Sequence, residues 1–327
     1  MKLKTRTKYL YWGLATLAVG MFLTEAVLRW KWGLGNPVLT QADAEMGYRF
    51  QPNQTTTRLG NQIHYNQYSQ RSDPLLSQPQ EQVFRVLMVG DSVLNGGSAI
   101  DQSETISEQL EQKILKNGQT VEVLNASAGS WGIGNQWGYL QKFGTFKSDL
   151  LILQIGTHDL TQPTSTSARV GHDPNYPTEK PLLAWQELLL RYLLPRFHLS
   201  QSQEIPPTLK PEQQFEQNLD YLEQILQGAK QENLPVVVLY TPNWVDVLPT
   251  PHTPTYKPQF QRFLEAQQVP LIDVHSAWSS LPPETVKGYF RDSVHLTPEG
   301  SEAVADLLYE NLTLPDFLIL GSPLIFK

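Results

Sequence analysis

The feature that most constrains the fold is an alternation between residues 83 and 312 of short apolar runs with longer amphipathic stretches. Parallel strands need a crossover between them, which is usually a helix. The alternation therefore predicts an α/β fold, with helices on both faces of a parallel sheet. The predicted strands are Val83–Val89, Val121–Ala126, Leu150–Ile155, Pro235–Tyr240 and Pro270–Val274. The predicted helices are Glu104–Lys116, Gly134–Phe143, Glu212–Gln231, Gln259–Ala266 and Pro298–Leu312.

The N-terminus has a different composition. Residues 9–28 form a mostly apolar run with aromatic residues near both ends, and a run of about 20 such residues can cross a bilayer. Four basic residues (Lys2, Lys4, Arg6, Lys8) precede it and two (Arg29, Lys31) follow, which favours a cytoplasmic N-terminus. We expect residues 1–32 to be an uncleaved single-pass anchor, with the rest of the chain on the extracytoplasmic side. A cleaved signal peptide is the alternative.

Two further segments lie outside the alternation. Residues 33–80 are polar and irregular and read as a lead-in to a domain at 81–327. The apolar run 182–197 lies between Pro-rich stretches and predicts a helix, with Leu182, Trp185, Leu189 and Leu193 near one face. It is expected to pack against the sheet edge; a lid or a membrane-contacting helix is the alternative.

Composition narrows the class of function. The net charge is -7 and no basic stripe follows the N-terminus, so nucleic-acid binding is not expected. The absence of cysteine excludes thiol catalysis and cysteine-ligated metal. The 7 histidines are scattered without metal-ligand spacing, so neither a metal nor another cofactor is expected.

Polar blocks follow the first three predicted strands, and a fourth block lies near the C-terminus. They are GDS (90–92), NASAGSWG (125–132), GTHD (156–159) and RDSVHLTPEG (291–300). In parallel sheets, ligands bind beyond the carboxyl ends of the strands. Asp292 and His295 are three residues apart, so the carboxylate can hold the ring Nδ1–H and present Nε2 to a serine such as Ser92. Gly129 allows a backbone N–H to approach a ligand closely.

These blocks together resemble the SGNH (GDSL-type) hydrolase family over residues 80–312. The resemblance implies a three-layer α/β/α sandwich on a five-stranded, flavodoxin-like parallel sheet. It also implies Ser92 as nucleophile, Asp292 and His295 as its triad partners, and the N–H groups of Ser92 and Gly129 as oxyanion donors. His158 stands where the family has an asparagine donor, and we expect it to serve as a third oxyanion donor.

The lead-in carries part of the resemblance. EMGYRFQPN (45–53) and HYNQYSQRSDP (64–74) are similar to the segment before the first block in exported members, which often modify acyl groups on cell-surface polysaccharides. The expected function is therefore a membrane-anchored serine esterase acting on small acyl esters, such as acetyl esters of cell-surface carbohydrate. The alternatives are an acyltransferase of polysaccharide O-acetylation and, because of His158, an inactive carbohydrate-binding or scaffold domain.

Overall fold

The computed structural model describes residues 2–75, 83–197 and 209–312, with side chains from residue 8 onward. Parts of several predicted segments lie outside the described residues. They are the basic side chains of Lys2, Lys4 and Arg6, residues 76–80 of the lead-in, and residues 81–82, 198–208 and 313–327 of the predicted domain.

Five parallel strands form the central sheet. They are β5 (Phe84–Gly90), β6 (Val121–Ser127), β7 (Leu150–Gly156), β8 (Val236–Thr241) and β9 (Leu271–Asp273). Their order across the sheet is β6-β5-β7-β8-β9. All five predicted strands are confirmed to within two residues at each end. The pairs Gly90↔Ser127 and Gly156↔Thr241 place four strand ends at one edge of the sheet.

Helices cover both faces of the sheet, so the predicted three-layer sandwich is confirmed. Side chains alternate between the two faces of a strand, and the apolar core divides accordingly. Val86 and Met88 lie in a cluster with α3 (Ile106–Lys116) and α11 (Pro298–Asn311). Leu87 and Val89 lie in a second cluster with helices of the opposite face. Those helices are α4 (Ile133–Phe143), α6 (Pro211–Gln231) and α8 (Lys257–Ala266).

Short helices complete the folded region. They are α2 (Ser92–Asn95), α5 (Ala184–Glu187), α7 (Trp244–Val247), α9 (Val274–Ser279) and α10 (Pro283–Gly288).

The lead-in is more ordered than its polar sequence suggests. It forms two antiparallel hairpins, β1–β2 (Thr40–Asp43, Gly47–Phe50) and β3–β4 (Gln54–Arg58, Asn61–Tyr65). Met46 and Tyr48 are buried in the second core cluster. Strands of four or five residues carry too few side chains for a clear alternation, which explains why the sequence reads as irregular.

The run 182–197 is helical from Ala184 onward, as predicted apart from its first two residues, but it packs differently. From α5 it continues as a π turn (Leu188–Leu193) and a 3₁₀ turn (Leu194–Phe197). Its buried neighbours are Leu28 and Leu34, beside the end of the N-terminal helix. The expected packing against the sheet edge is therefore not what the structure shows.

The N-terminal helix, α1 (Lys2–Trp32), is long and apolar enough over Lys8–Trp32 to cross a membrane. It is the one helix among the described residues with this property. Its apolar side chains are exposed over most of that length, whereas its last turns contact the folded domain.

Candidate active site

Ser92 lies on a tight turn between β5 and α2. A Cβ on Gly90 would approach Gln154 Oε1 to 2.5 Å, so glycine lets the strand end close to its neighbour. Asp91 caps the helix, because its Oδ1 accepts from the Val93 N–H at 2.7 Å. Ser92 is then the first residue of α2 and is half-buried. The structure therefore places Ser92 between a strand and a helix, as predicted.

Ser92, His295 and Asp292 form a continuous hydrogen-bonded row. His295 Nε2 lies 2.9 Å from Ser92 Oγ, although the two residues are 203 positions apart in the chain. His295 Nδ1 lies 2.8 Å from Asp292 Oδ2. With its Nδ1–H donated to the carboxylate, the imidazole presents an acceptor Nε2 to the serine hydroxyl. The arrangement can activate a hydroxyl as a nucleophile.

The Asp292 carboxylate is held in its charged form. Burial alone would raise its pKa, but the backbone N–H groups of His295 and Val294 and the His295 ring lower the pKa to about 2. Those N–H groups donate to Oδ1 at 2.8 Å and 2.9 Å. Asp292 is therefore an anion at any ordinary working pH and can stabilise a charge on the imidazole.

The loop that carries Asp292 and His295 is fixed from both sides. The Arg291 N–H donates to the His295 carbonyl at 2.8 Å, closing the loop on itself. The Trp244 N–H donates to the Ser293 carbonyl at 2.9 Å, tying the loop to the segment after β8. Thr297 caps α11 by accepting from the Gly300 N–H at 3.1 Å, as its sequence context predicts.

Gly129 lies in the turn after β6, and the lead-in orients it. The Tyr48 hydroxyl, from β2, donates to the Gly129 carbonyl. Among the described residues, no backbone or side-chain acceptor takes the N–H of Gly129 or of Ser92. Each of these two predicted oxyanion donors therefore has an N–H that a ligand can use.

His158, the third predicted donor, lies in the site with both ring nitrogens engaged. Its Nε2 is 2.7 Å from Asp91 Oδ2, and its Nδ1 is 3.0 Å from Asn243 Oδ1. Burial by itself would lower the pKa of His158, but the carboxyl groups of Asp159 and Asp91 outweigh it and raise the pKa to about 10. The ring is thus an imidazolium that donates to two neighbours, and it can donate to an oxyanion only by leaving one of them.

Asp91, His158 and Asp159 could in principle hold a cation, since one ligand atom from each lies within 4.8 Å of the others. With its raised pKa, the ring carries a proton on Nε2, the nitrogen nearest to both carboxyls. Burial and the neighbouring Asp91 also raise the pKa of Asp159. We interpret the cluster as a proton-sharing ion pair beside Ser92.

Three residues at the site were not identified from the sequence. Asp91 is the middle residue of the GDS block and could have been read as the cap of the turn. Asn243 follows β8, so inspecting the end of the fourth strand would have found it. Tyr48 belongs to a hairpin far away in the sequence, and no local pattern places it beside Gly129.

The family model of the GDSL-like lipase/acylhydrolase family matches residues 88–303, more than half of the chain. No curated protein matches the sequence.

Similar solved structures include the acetyl xylan esterase AlAXEase, with 13% identity, a TM-score of 0.46, and coverage of 69% of this chain and 98% of that one. TesA has 14% identity and a TM-score of 0.41, over 69% of this chain and 96% of that one. A lipase/acylhydrolase from Enterococcus faecalis has 17% identity and a TM-score of 0.42, over 69% and 94%. The family match confirms the expected ester-bond hydrolase: this chain belongs to the GDSL-like lipase/acylhydrolase family.

Proposed function

We propose that the protein is a serine esterase in which Ser92, His295 and Asp292 form the catalytic triad. The observation that carries the proposal is the row of contacts from Ser92 Oγ through His295 Nε2, at 2.9 Å, to Asp292 Oδ2, at 2.8 Å from Nδ1. A surface histidine paired with an aspartate is common. Here the histidine has a third partner, Ser92, which lies at the N-terminus of a helix beyond the end of a central strand. This position favours a catalytic role for the three residues over a structural one.

The reaction proceeds in two halves. His295 Nε2 takes the Ser92 hydroxyl proton while Oγ attacks the ester carbonyl. The tetrahedral adduct collapses, His295 gives the proton to the departing alcohol oxygen, and an acyl-serine remains. Water then attacks the acyl carbonyl while His295 Nε2 takes one of its protons. When the second tetrahedral adduct collapses, His295 returns the proton to Ser92 Oγ and the acid is released. Asp292 stays ionised throughout and stabilises the imidazolium.

The oxyanion is stabilised by the backbone N–H groups of Ser92 and Gly129. His158 is the third candidate donor, and its contribution requires the Nδ1 contact with Asn243 to open during turnover. In its observed position, the imidazolium offsets the charge of Asp91, which directly precedes the nucleophile. A lone carboxylate there would oppose the build-up of negative charge on the substrate oxygen.

The openness of the site supports a small acyl group on a large partner as substrate. The side chain of Asp292 is 46% exposed and that of His295 is 34% exposed. A site this open does not enclose a long acyl chain, whereas a bulky alcohol partner can extend into solvent. We therefore propose short esters, such as acetyl esters of cell-surface carbohydrate, as substrates. Transfer of the acyl group to a sugar hydroxyl instead of water would use the same acyl-serine.

We further propose that α1 remains attached as a membrane anchor, with the enzyme domain on the extracytoplasmic side. Its last turns are part of the folded structure, since Leu28 is buried and Glu25 Oε1 accepts from the Ala184 N–H at 2.8 Å. Cleavage after the apolar run would remove both contacts. The larger number of basic residues before the span supports an inside N-terminus.

The test of the triad is covalent labelling. A fluorophosphonate should label the full-length protein on Ser92, and Ser92→Ala should abolish both the label and hydrolysis of p-nitrophenyl acetate. Ser98→Ala, in the loop that follows α2, is the matched control and should keep both. Equal labelling of a folded Ser92→Ala variant would exclude Ser92 as the nucleophile.

The test of topology is protease accessibility. Protease added outside intact spheroplasts should digest the domain, and the undigested protein should stay with membranes after a high-salt wash. Protection from protease would reverse the orientation. A soluble product that begins after residue 28 would show that the N-terminal segment is cleaved.

A further inference from the structure

The helical segment 182–197 carries an apolar surface that the enzyme fold does not use. Leu182 is 90% exposed and Phe197, at the other end, is 69% exposed. Leu183, Leu189 and Leu190 are also exposed. Several large exposed apolar side chains within one short segment indicate an interaction site. The opposite side of the segment packs against the end of α1, where Ala184, Trp185 and Leu188 meet Leu28.

The segment is attached to α1 well inside the apolar span. Glu25 accepts the backbone N–H groups of Ala184 at 2.8 Å and Trp185 at 3.2 Å. The Trp185 indole donates to Thr24 Oγ1 at 3.2 Å. Arg29 pairs with Glu25 at 2.7 Å and also donates to the Leu182 carbonyl at 2.7 Å. These contacts satisfy Glu25, an acidic residue that is otherwise out of place in an apolar span.

Helix geometry gives the depth of this attachment. The candidate span Lys8–Trp32 has 25 residues, and a helix rises about 1.5 Å per residue. A hydrocarbon core about 30 Å thick, centred on the span, ends near Trp30. Glu25 then lies about 8 Å inside the hydrocarbon boundary. The first turn of the segment, which Glu25 caps, must enter the same leaflet.

The segment is also fixed to the folded domain, so it cannot be displaced without breaking buried contacts. Glu187 forms a buried ion pair with Arg58 of β3, and both side chains are almost fully inaccessible. Glu187 Oε2 also accepts the Gly35 N–H at 2.7 Å. Because buried charges need their partners, the segment, the end of α1 and the β3–β4 hairpin are joined as one unit.

We propose that residues 182–197 form a second membrane-contacting element, seated in the interfacial region of the bilayer beside α1. The proposal rests on the proposed membrane anchoring of α1. The partner of this element is the lipid leaflet. The side chains of Leu182, Leu183, Leu189, Leu190 and Phe197 insert into that leaflet. Amphipathic helices bind membranes in this way, with the apolar face at the boundary between headgroups and acyl chains.

The same attachment orients the site. The Leu59 N–H donates to the Trp32 carbonyl at 3.1 Å, and Asn61 Nδ2 donates to the Ser98 carbonyl at 3.1 Å. The turn of the β3–β4 hairpin therefore joins the end of α1 to the loop that follows Ser92. With two points of membrane contact, the domain is held at the bilayer, and the hairpin connects this attachment to the loop beside Ser92.

The experiment uses the absence of cysteine from the chain, which lets a single introduced cysteine carry a fluorescent label. Full-length Leu182→Cys and Phe197→Cys are labelled, reconstituted in phosphatidylcholine vesicles and exposed to lipids with a doxyl quencher near the headgroup or deep in the chain. Phe22→Cys, in the middle of the span, reports on α1. Leu115→Cys, exposed at the end of α3 toward the amino edge of the sheet, is the control outside the membrane.

We expect the shallow quencher to quench labels at 182 and 197, the deep quencher to quench the label at 22, and neither to quench the label at 115. Quenching at 22 without quenching at 182 and 197 would overturn the second contact and leave the anchor intact. Absence of quenching at 22 would show that the anchoring itself is wrong. Equal melting temperatures of the labelled variants exclude unfolding as a cause of quenching.

Discussion

The Nε2 atom of His158 lies 2.7 Å from the Oδ2 atom of Asp91, the residue directly before Ser92. Asp91 caps the helix that begins at Ser92, so the imidazolium of His158 helps to fix the turn of the proposed nucleophile. The same ring contacts Asn243 beyond β8, which joins the ends of three neighbouring strands. His158, which replaces the asparagine of the family pattern, thus connects Asp91 to Asn243 by hydrogen bonds.

The first prediction concerns the nucleophile. Ser92→Ala should lower the rate of p-nitrophenyl acetate hydrolysis by about 10⁴-fold or more, because the acyl-serine cannot form. The release of p-nitrophenol by purified full-length protein, followed by absorbance, measures this rate. Circular dichroism checks that the variant is folded. Activity within tenfold of the parent protein would contradict the triad.

The second prediction concerns Asp292. In Asp292→Asn the amide no longer fixes the His295 tautomer, and kcat should fall by about 10⁴-fold. Asp306→Asn, which changes an exposed partner of Lys113, is the control and should remain active.

Asp292 also makes a prediction about pH. Its pKa of about 2 lies below the reference value, so its stabilising contribution is present above about pH 4 and is lost as the pH falls toward 2. The pH profile of kcat/KM in the parent should therefore show no step from Asp292 between pH 4 and 8. An NMR titration of the Asp292 carboxyl group with a midpoint between pH 4 and 8 would contradict this.

The third prediction separates two substitutions of His158. His158→Ala removes the partner of Asp91 and a candidate oxyanion donor, and kcat should fall by about 10²–10³-fold with little change in KM. His158→Asn restores the amide donor of the family pattern and should stay within about tenfold of the parent. Steady-state kinetics at pH 7 measure both. A His158→Ala variant with parental kcat would show that the ring takes no part in turnover.

The fourth prediction uses the raised pKa of His158. A histidine with a folded pKa of about 10, above its usual 6.5, stabilises the fold fully below pH 6.5 and loses that contribution as the pH rises through 10. The melting temperature of the parent should exceed that of His158→Asn by several degrees at pH 6, since 1 kcal/mol shifts it by about 2–4 °C in a domain of this size. The difference should shrink at pH 10.5. A constant difference would show that the ring does not lose a proton between pH 6 and 10.5.

The fifth prediction concerns the buried ion pair of Arg58 and Glu187. Arg58→Met leaves the buried Glu187 carboxylate with only the Gly35 N–H and the Arg191 guanidinium, 3.6 Å away, and should destabilise the protein by about 3–5 kcal/mol. Adding Glu187→Leu to that variant should recover part of the loss, because the stranded charge is removed. Denaturant unfolding in detergent measures both. Losses that simply add in the double variant would show that the two residues are not coupled.

Much of the fold could be predicted from the sequence because its signals are local. The strands from Phe84 to Asp273 are short apolar runs, and the helices between them show amphipathic spacing. These patterns come from burial on both faces of a sheet and on one face of a helix. The positions of Ser92, Asp292 and His295 could be predicted for the same reason, since each occurs in a short block next to a recognisable strand or helix boundary.

The tertiary structure alone decided how distant groups meet. Tyr48 reaches Gly129, Asn243 reaches His158, and Glu25 caps the segment at Ala184. None of these pairs has a periodic or local signature, because hydrogen bonds between remote segments depend on how the layers pack. The charge of His158 follows from the same cause: the sequence supplies a ring with an ordinary pKa, and only its enclosure between Asp91 and Asp159 keeps it protonated.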